Sequence, residues 1–212
     1  HELDASIMHG AHLDAGAVAG VTTVQSPIAL ARAVMEQSPH VMLASKGAEQ
    51  FARELGIPEV SSAYFETERR KRALESYKAR KQAGVEPRVD FKFGTVGVVV
   101  LDSKGNLVAG TSTGGMTGKR WGRIGDAPVI GAGTYADNNS CAVSATGHGE
   151  FFIRHTVARD ICARMKFAGQ NLQEAAETVI LDELVAAGGD GGIVAVDATG
   201  EVSMVFNTPG MY

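Results

Sequence analysis

The chain has 212 residues, 44% of them hydrophobic and 21% charged, which suits one folded domain with a sizeable core and excludes a disordered or fibrous polymer. Its formal charge of -4 gives no global attraction to nucleic acid or anionic lipid, so a ligand must be recognised at a local site. No apolar run approaches the ~20 residues needed to span a bilayer, and the two cysteines, Cys141 and Cys162, are too few for a disulfide framework. They read as reduced, small apolar residues, which predicts a cytoplasmic protein. Asn138-Asn139-Ser140 spells a glycosylation sequon, but without a signal peptide it reads as chance. The chain starts at His1, and Glu2-Leu3-Asp4-Ala5-Ser6-Ile7 reads as the middle of a longer polypeptide.

In chain order, residues 15–23 are small and β-branched and predict a buried strand. Ser26-Pro27 supplies a capping side chain and a proline at the first helical position, and apolar spacing carries that helix through Met35. A short strand is predicted over 40–44 and a helix over 46–55, stopped by Gly56. Residues 62–83 form a charged helical stretch that includes Arg69-Arg70-Lys71-Arg72. Interleaved Glu66, Glu68 and Glu75 favour a solvated helix over a nucleic-acid surface. Residues 85–94, with Pro87 and alternating charges, have little to bury and read as a flexible linker where a chain is readily cut.

Two apolar strands over 95–101 and 107–113 are joined by Asp102-Ser103-Lys104-Gly105-Asn106, whose glycine and asparagine tolerate positive φ. Residues 114–139 are glycine-rich and read as irregular, and 141–146 as a further strand. Helical periodicity runs over 151–167, and a second helix from Leu172 is opened by Asn171 with Glu174 at capping-box spacing. A closing hairpin is predicted from 191–197 and 201–206. This order points to an α+β fold in which sheet packs on sheet under a cover of helices, not to a parallel doubly wound sheet.

The chemistry starts at Gly94-Thr95-Val96-Gly97, where a threonine hydroxyl follows a glycine carbonyl at the boundary between linker and strand. If that peptide bond breaks, Thr95 becomes an N-terminus carrying nucleophile and base on one residue, because a free α-amine titrates near ~8. Thr111-Ser112-Thr113-Gly114-Gly115 ends the strand expected to pair with the Thr95 strand, so a hydroxyl there can orient the new amine. Arg123 and Asp126, three residues apart in a loop, suit a zwitterion, the guanidinium for an α-carboxylate and the carboxylate for an α-ammonium; a surface ion pair is the alternative. Ala145-Thr146-Gly147-His148-Gly149-Glu150 leaves a strand with exposed N–H groups that can stabilise an oxyanion, or forms a plain strand-to-helix turn.

Taken together, the motifs at 94–97, 111–115, 122–136 (Gly-Arg-x-Gly-Asp-x-Pro-x-x-Gly-Ala-Gly-x-Tyr-Ala) and 145–150 resemble the plant-type L-asparaginase / isoaspartyl peptidase family of N-terminal nucleophile hydrolases. The resemblance covers 95–212 throughout, and the His1 to Ala5 block and the strand from Ala15 resemble the family's α subunit. It implies an αββα four-layer sandwich, an α subunit over 1–94 lacking its N-terminal part, and a β subunit over 95–212 released by self-cleavage between Gly94 and Thr95. It further implies Thr95 as nucleophile, Thr113 as its hydroxyl partner, Thr146 and Gly147 as the oxyanion hole, Arg123 and Asp126 as substrate clamp, and Gly149 as pocket lining. The implied activity is hydrolysis of L-asparagine and of β-aspartyl dipeptides through a β-aspartyl-enzyme ester, by a dimer of αβ units. No cofactor is implied; the alkali-metal ion that the family often holds belongs to a loop upstream of this sequence. Glycosylasparaginase and threonine endopeptidase chemistry share this nucleophile, although Gly114-Gly115 resembles the asparaginase branch. A non-catalytic module is the reading from another class.

Other signals carry less. Gly131-Ala132-Gly133-Thr134-Tyr135-Ala136 fits the dinucleotide fingerprint by letter but leads into Asp137-Asn138-Asn139 instead of a helix. His9, His12 and Asp14 read as solvated loop residues, His148 as pocket lining, and Asp190 as either a substrate contact or part of a tight glycine turn.

Overall fold

The structure, a computed structural model, describes residues 1–85, 94–209 and 211. The linker expected over 85–94 therefore lies, for residues 86–93, outside the described residues.

Two antiparallel-rich sheets carry the fold. The first has five strands in the order β3-β2-β1-β5-β4: β1 Leu3–His9, β2 Asp14–Val21, β3 Met42–Ala44, β4 Thr95–Leu101 and β5 Leu107–Thr113. The second has four in the order β6-β7-β8-β9: β6 Thr134–Ala136, β7 Cys141–Gly147, β8 Gly191–Asp197 and β9 Val202–Phe206. Among the described strands β2 and β3 are the one pair that runs parallel. Helices α1 (Pro27–Gln37) and α2 (Ser45–Glu54) pack on the first sheet around Val18, Leu30, Val34 and Ala52. The larger core lies under the second sheet, where α5 (Val157–Ala163) and α6 (Leu172–Glu177) cover it with Ile161, Leu172 and Ala175, joined by Ile180 of the π-helical turn Thr178–Glu183. Among the described residues no helix is long and apolar enough to cross a membrane.

The α+β architecture and both hairpins match the sequence reading, and Asn171 and Glu174 form the reciprocal capping box. Several boundaries differ. Ser26 sits at the N-cap of α1, but its side chain makes no cap hydrogen bond, leaving proline's fixed φ as the start signal. The stretch expected to be helical over 62–83 divides into a 3-10 turn at Ser62–Phe65 and helix α3, Glu68–Gln82, whose N-cap Thr67 accepts from the Arg70 N–H. The helix expected over 151–167 breaks into α4 (Gly149–His155) and α5 at Thr156, which takes a left-handed φ of 49°. Two strands escaped the reading: β1, now the centre of the first sheet, and the three-residue β6 inside the glycine-rich segment.

The cysteines also correct the expectation. Cys141 opens β7 and Cys162 lies on α5, which packs directly on that strand; their Cα atoms are 5.4 Å apart and the two form a disulfide. A separation of 21 residues in sequence carries no such signal. Reduced thiols were the premise of the cytoplasmic reading, which loses that support.

Hydroxyl groups tie the sheets together where they face each other. Thr111 of β5 lies 2.6 Å from Ser144 of β7 and accepts from Thr134 of β6 at 2.6 Å. Ser6 of β1, opposite Thr111 in register, reaches Thr134 at 2.7 Å and the Ala127 carbonyl at 2.6 Å. All four residues are buried. Gly97 of β4 allows this approach, since a Cβ there would stand 2.1 Å from Ser144 Oγ.

Candidate active site

Period-two alternation decides which way the Thr95 hydroxyl points. Gly97 and Val99 face the second sheet, while Val96, Val98 and Val100 face out at 73%, 57% and 42% exposure. Thr95 therefore shares the inter-sheet face with Gly97. The β4–β5 register sets Thr95 opposite Thr113 and Gly97 opposite Thr111. On β7, Thr146 follows Ser144 by two residues and so shares its face. One level of contacts is thus Gly97, Thr111 and Ser144, and the next is Thr95, Thr113 and Thr146.

At that second level, Thr95 Oγ1 donates to Thr113 Oγ1 at 3.2 Å, and Thr113 Oγ1 donates to the Gly94 carbonyl at 2.5 Å. The Gly115 N–H donates to Thr113 Oγ1 at 3.0 Å, and the Gly114 N–H approaches the Gly94 oxygen at 3.4 Å. The carbonyl preceding Thr95 is therefore polarised from two sides, with the hydroxyl of the next residue already hydrogen-bonded beside it. Gly115 holds a φ of 73°, the left-handed region that glycine takes without Cβ strain.

One cleft gathers Gly94, Thr95, Thr113, Arg123, Asp126, Thr146 and Gly147 along its walls. Gly149 stands immediately behind the clamp: a Cβ on it would lie 2.8 Å from Arg123 Nη2 and 3.0 Å from Asp126 Oδ1. Gly147 is equally constrained, with the Asp190 carbonyl 2.4 Å and the Gly191 Cα 2.7 Å from a Cβ position. His148, expected to line the cleft, is not among its walls; it turns to Glu150, 3.4 Å away, and stacks edge-on against Phe151. Asp190 offers its carbonyl to the His148 N–H at 2.9 Å.

Arg123 and Asp126 do not form the simple ion pair that sequence spacing allowed. Glu150 takes Arg123 in a two-pronged grip, Nε to Oε1 and Nη2 to Oε2, each at 2.9 Å. This holds the Glu150 carboxyl below its ordinary range and raises the guanidinium further. Asp126, at 6% exposure, keeps Oδ2 without a hydrogen-bond partner among the described residues. Burial pushes its pKa up to about 7, Arg123 pulls it down, and Glu150 and Asp4 push it up. An orphaned, desolvated carboxyl oxygen in a cleft wall leaves an acceptor that a cationic donor could satisfy.

Beneath the arginine loop, Lys119 Nζ meets Glu2 Oε2 at 3.0 Å and Asp4 Oδ2 at 3.9 Å, and donates to the Arg123 carbonyl at 3.2 Å. Glu150, Lys119 and Arg70, the last also a cleft wall, carry functional geometry that the sequence reading assigned to none of them. Glu150 is the last residue of the 145–150 motif, and Lys119 lies between the motifs at 111–115 and 122–136. Arg70 was hidden in the basic run, although Arg70, Ala73 and Tyr77 are the half-buried members of α3 at helical spacing. Among the described residues no three His, Cys, Asp or Glu are grouped to hold a metal ion, so His9, His12 and Asp14 form no such site.

Comparison with known proteins gives this geometry a lineage. The model of the asparaginase family matches residues 1–212. The chain belongs to that family. It is 51% identical to the isoaspartyl peptidase of Escherichia coli over 219 residues, covering 100% of this chain and 68% of that protein. It is 43% identical to the putative isoaspartyl peptidase/L-asparaginase of Dictyostelium discoideum over 245 residues, covering 100% of this chain and 70% of the relative. The human isoaspartyl peptidase/L-asparaginase is 44% identical over 200 residues, 94% of this chain and 64% of that protein.

Proposed function

We propose that this chain belongs to a self-cleaving threonine amidohydrolase that hydrolyses L-asparagine to L-aspartate and ammonia and cleaves β-aspartyl dipeptides. The observation that carries the reading is the Thr95 hydroxyl hydrogen-bonded to Thr113 beside the Gly94 carbonyl, in one cleft with Arg123 and the orphaned Asp126 oxygen. Family membership and the names of the relatives support the same chemistry.

In the uncut chain, Thr95 Oγ attacks the Gly94 carbonyl carbon while Thr113 Oγ1 and the Gly114 N–H bear the developing negative oxygen. The C–N bond breaks as the hydroxyl proton passes to the departing Thr95 nitrogen, the acyl group moves to Oγ as an ester, and water opens the ester. The α subunit then ends at Gly94, and the β subunit starts at a free Thr95 amine. The two remain one αββα four-layer unit, and the working assembly is a dimer of αβ units.

In the mature enzyme the Thr95 amine takes the proton of its own hydroxyl as Oγ attacks the substrate side-chain carbonyl. Thr146 Oγ1 and the Gly147 N–H hold the oxyanion. Arg123 receives the substrate α-carboxylate, Asp126 its α-ammonium, and Gly149 leaves room for both. The leaving amine departs with the proton held by the Thr95 amine, and water releases aspartate from the ester.

Intact-mass measurement of the purified protein tests this. Two polypeptides dividing between Gly94 and Thr95 are expected, and Thr95→Ala should remain a single chain without amidohydrolase activity. A Thr95→Ala chain that still divides there removes the assignment. Side-by-side assay of asparagine, a β-aspartyl dipeptide and a glycosylated asparagine separates the reading from glycosylasparaginase chemistry, and inactivity on all three favours a non-catalytic module.

A further inference from the structure

The Thr95 cleft does not end at the aspartyl clamp. Arg70, Gly115 and Met116 line it and also line an adjoining cavity walled by His1, Glu2, Leu74 and Trp121. Arg70 is the single α3 side chain in the Thr95 cleft. Its Nη2 donates to Thr117 Oγ1 at 2.9 Å, a neutral partner, and among the described residues no carboxylate pairs with it. The other cations nearby are engaged or turned out: Arg123 is gripped by Glu150, Lys119 is paired with Glu2, and exposed Arg120 lies over the Trp121 ring. Tyr77, one helical face along from Arg70, packs against Gly118, where a Cβ would stand 2.4 Å from Tyr77 Cε1, so this face of α3 is seated on the 114–122 loop.

A guanidinium that meets no carboxylate among the described residues and is held by a hydroxyl between two joined cavities suits a carboxylate ligand. We propose that Arg70 is a specificity-determining residue that binds the α-carboxylate of the leaving amino acid when a β-aspartyl dipeptide is cleaved, the adjoining cavity holding that amino acid. The inference rests on the amidohydrolase reading and deepens it. A β-aspartyl dipeptide carries two carboxylates. The aspartyl one is taken by Arg123, whose Nε and Nη2 are already fixed by Glu150, and the second, on the leaving residue, falls beyond Thr95 on the side where Arg70 stands. Asparagine releases ammonia and presents nothing to Arg70. Arg70 thus separates two substrates that share the same acyl half.

The test compares kcat/KM on L-asparagine, β-aspartyl-leucine and β-aspartyl-leucinamide, the amide having the leaving carboxylate neutralised, in mature wild-type protein and in Arg70→Gln and Arg70→Lys. Wild type should prefer the free acid over the amide by about 10- to 100-fold, the worth of one charge-assisted hydrogen bond, mostly through KM. Arg70→Gln should bring acid and amide to within about twofold, and Arg70→Lys should keep part of the preference. Asparagine turnover normalises each variant for maturation or folding damage. An undiminished acid-over-amide preference in Arg70→Gln, or a proportional loss on all three substrates, overturns the assignment. Mature wild type that hydrolyses none of the three removes the parent reading, a pattern distinct from either.

Discussion

Thr95 and Thr113 stand directly opposite each other across the β4–β5 ladder, with Thr95 Oγ1 donating to Thr113 Oγ1 at 3.2 Å and Thr113 donating onward to the carbonyl of Gly94. The register of one hairpin therefore brings two hydroxyls and the Gly94 carbonyl into one hydrogen-bonded chain, from which the proposed cleavage would start. Removing the middle hydroxyl should slow self-cleavage more than it disturbs the fold, because Thr113 is half-buried at a strand end. Thr113→Val is expected to mature about 100- to 1000-fold more slowly, the range for loss of one preorganised oxyanion donor. Thr113→Ser, which keeps the oxygen, should recover most of the rate. Intact-mass time courses after purification check this, and equal maturation of wild type and Thr113→Val would remove Thr113 from the cleavage step.

Glu150 acts through Arg123, which it holds by two parallel hydrogen bonds. Glu150→Gln keeps the shape but loses the charge and one acceptor, because its amide nitrogen donates and cannot receive the second Arg123 N–H. The expected result is a rise of about fivefold in KM for asparagine with kcat changed less than about twofold, the signature of lost ground-state binding. A fall in kcat at constant KM would instead place Glu150 in the chemical step.

Much of this geometry is legible in sequence because the informative signals are local. The apolar, β-branched run from Thr95 to Leu101 fixes the strand, the Asp102 to Asn106 turn fixes the partner, and those two facts nearly fix the Thr95–Thr113 pair. The glycines at 147 and 149 announce close approach, which the Asp190 carbonyl and the Arg123 guanidinium then supply. What escaped depends on contacts remote in sequence. β1 reads as polar at Asp4 and Ser6, yet both are buried, because Gly20 N–H donates to Asp4 and Thr134 and Ala127 take Ser6. The pairing of Cys141 with Cys162 likewise needs α5 to lie on β7, which no local pattern encodes. Arg70 was masked by its charged neighbours; a helix with no fully buried residue has only a faint facial signal.

The Ser6, Thr111, Thr134 and Ser144 hydroxyls hold the two sheets together and, through the Ala127 carbonyl, anchor the loop that carries Asp126. Thr111, at 1% exposure, is the shared centre. Thr111→Val is nearly isosteric but leaves Thr134, Ser144 and the Gly133 carbonyl short of a partner. The cost should be about 1–3 kcal/mol for each buried group left unsatisfied. Thermal unfolding should therefore fall by at least about 6 °C, with Thr111→Ser close to wild type. An unchanged midpoint in Thr111→Val would show that the network positions the loop without stabilising the fold.

Asp126 ties pH to both binding and stability. Its pKa is pushed up to about 7 by burial, so the free enzyme holds it largely neutral in mild acid and charged in mild alkali. Only the charged form receives an α-ammonium ion well, so kcat/KM should rise with pH through about 7, as the free-enzyme profile reports. The stability effect has the opposite sign. Between the ordinary value of 3.8 and about 7 the folded state keeps a proton that the unfolded chain has released, so this group's contribution to stability falls as pH rises through that window. The penalty is complete above about 7. Asp126→Asn removes the titration, and three results are expected. The limb of kcat/KM near 7 should disappear, leaving the limb of the Thr95 amine; asparagine turnover should drop by about 100-fold for want of the charged acceptor. The variant should also unfold at a higher temperature than wild type at pH 8, while the two converge at pH 4. Melting curves at both pH values decide the matter: a difference of equal size at pH 4 and pH 8 would mean that the Asp126 charge is not what the fold is resisting.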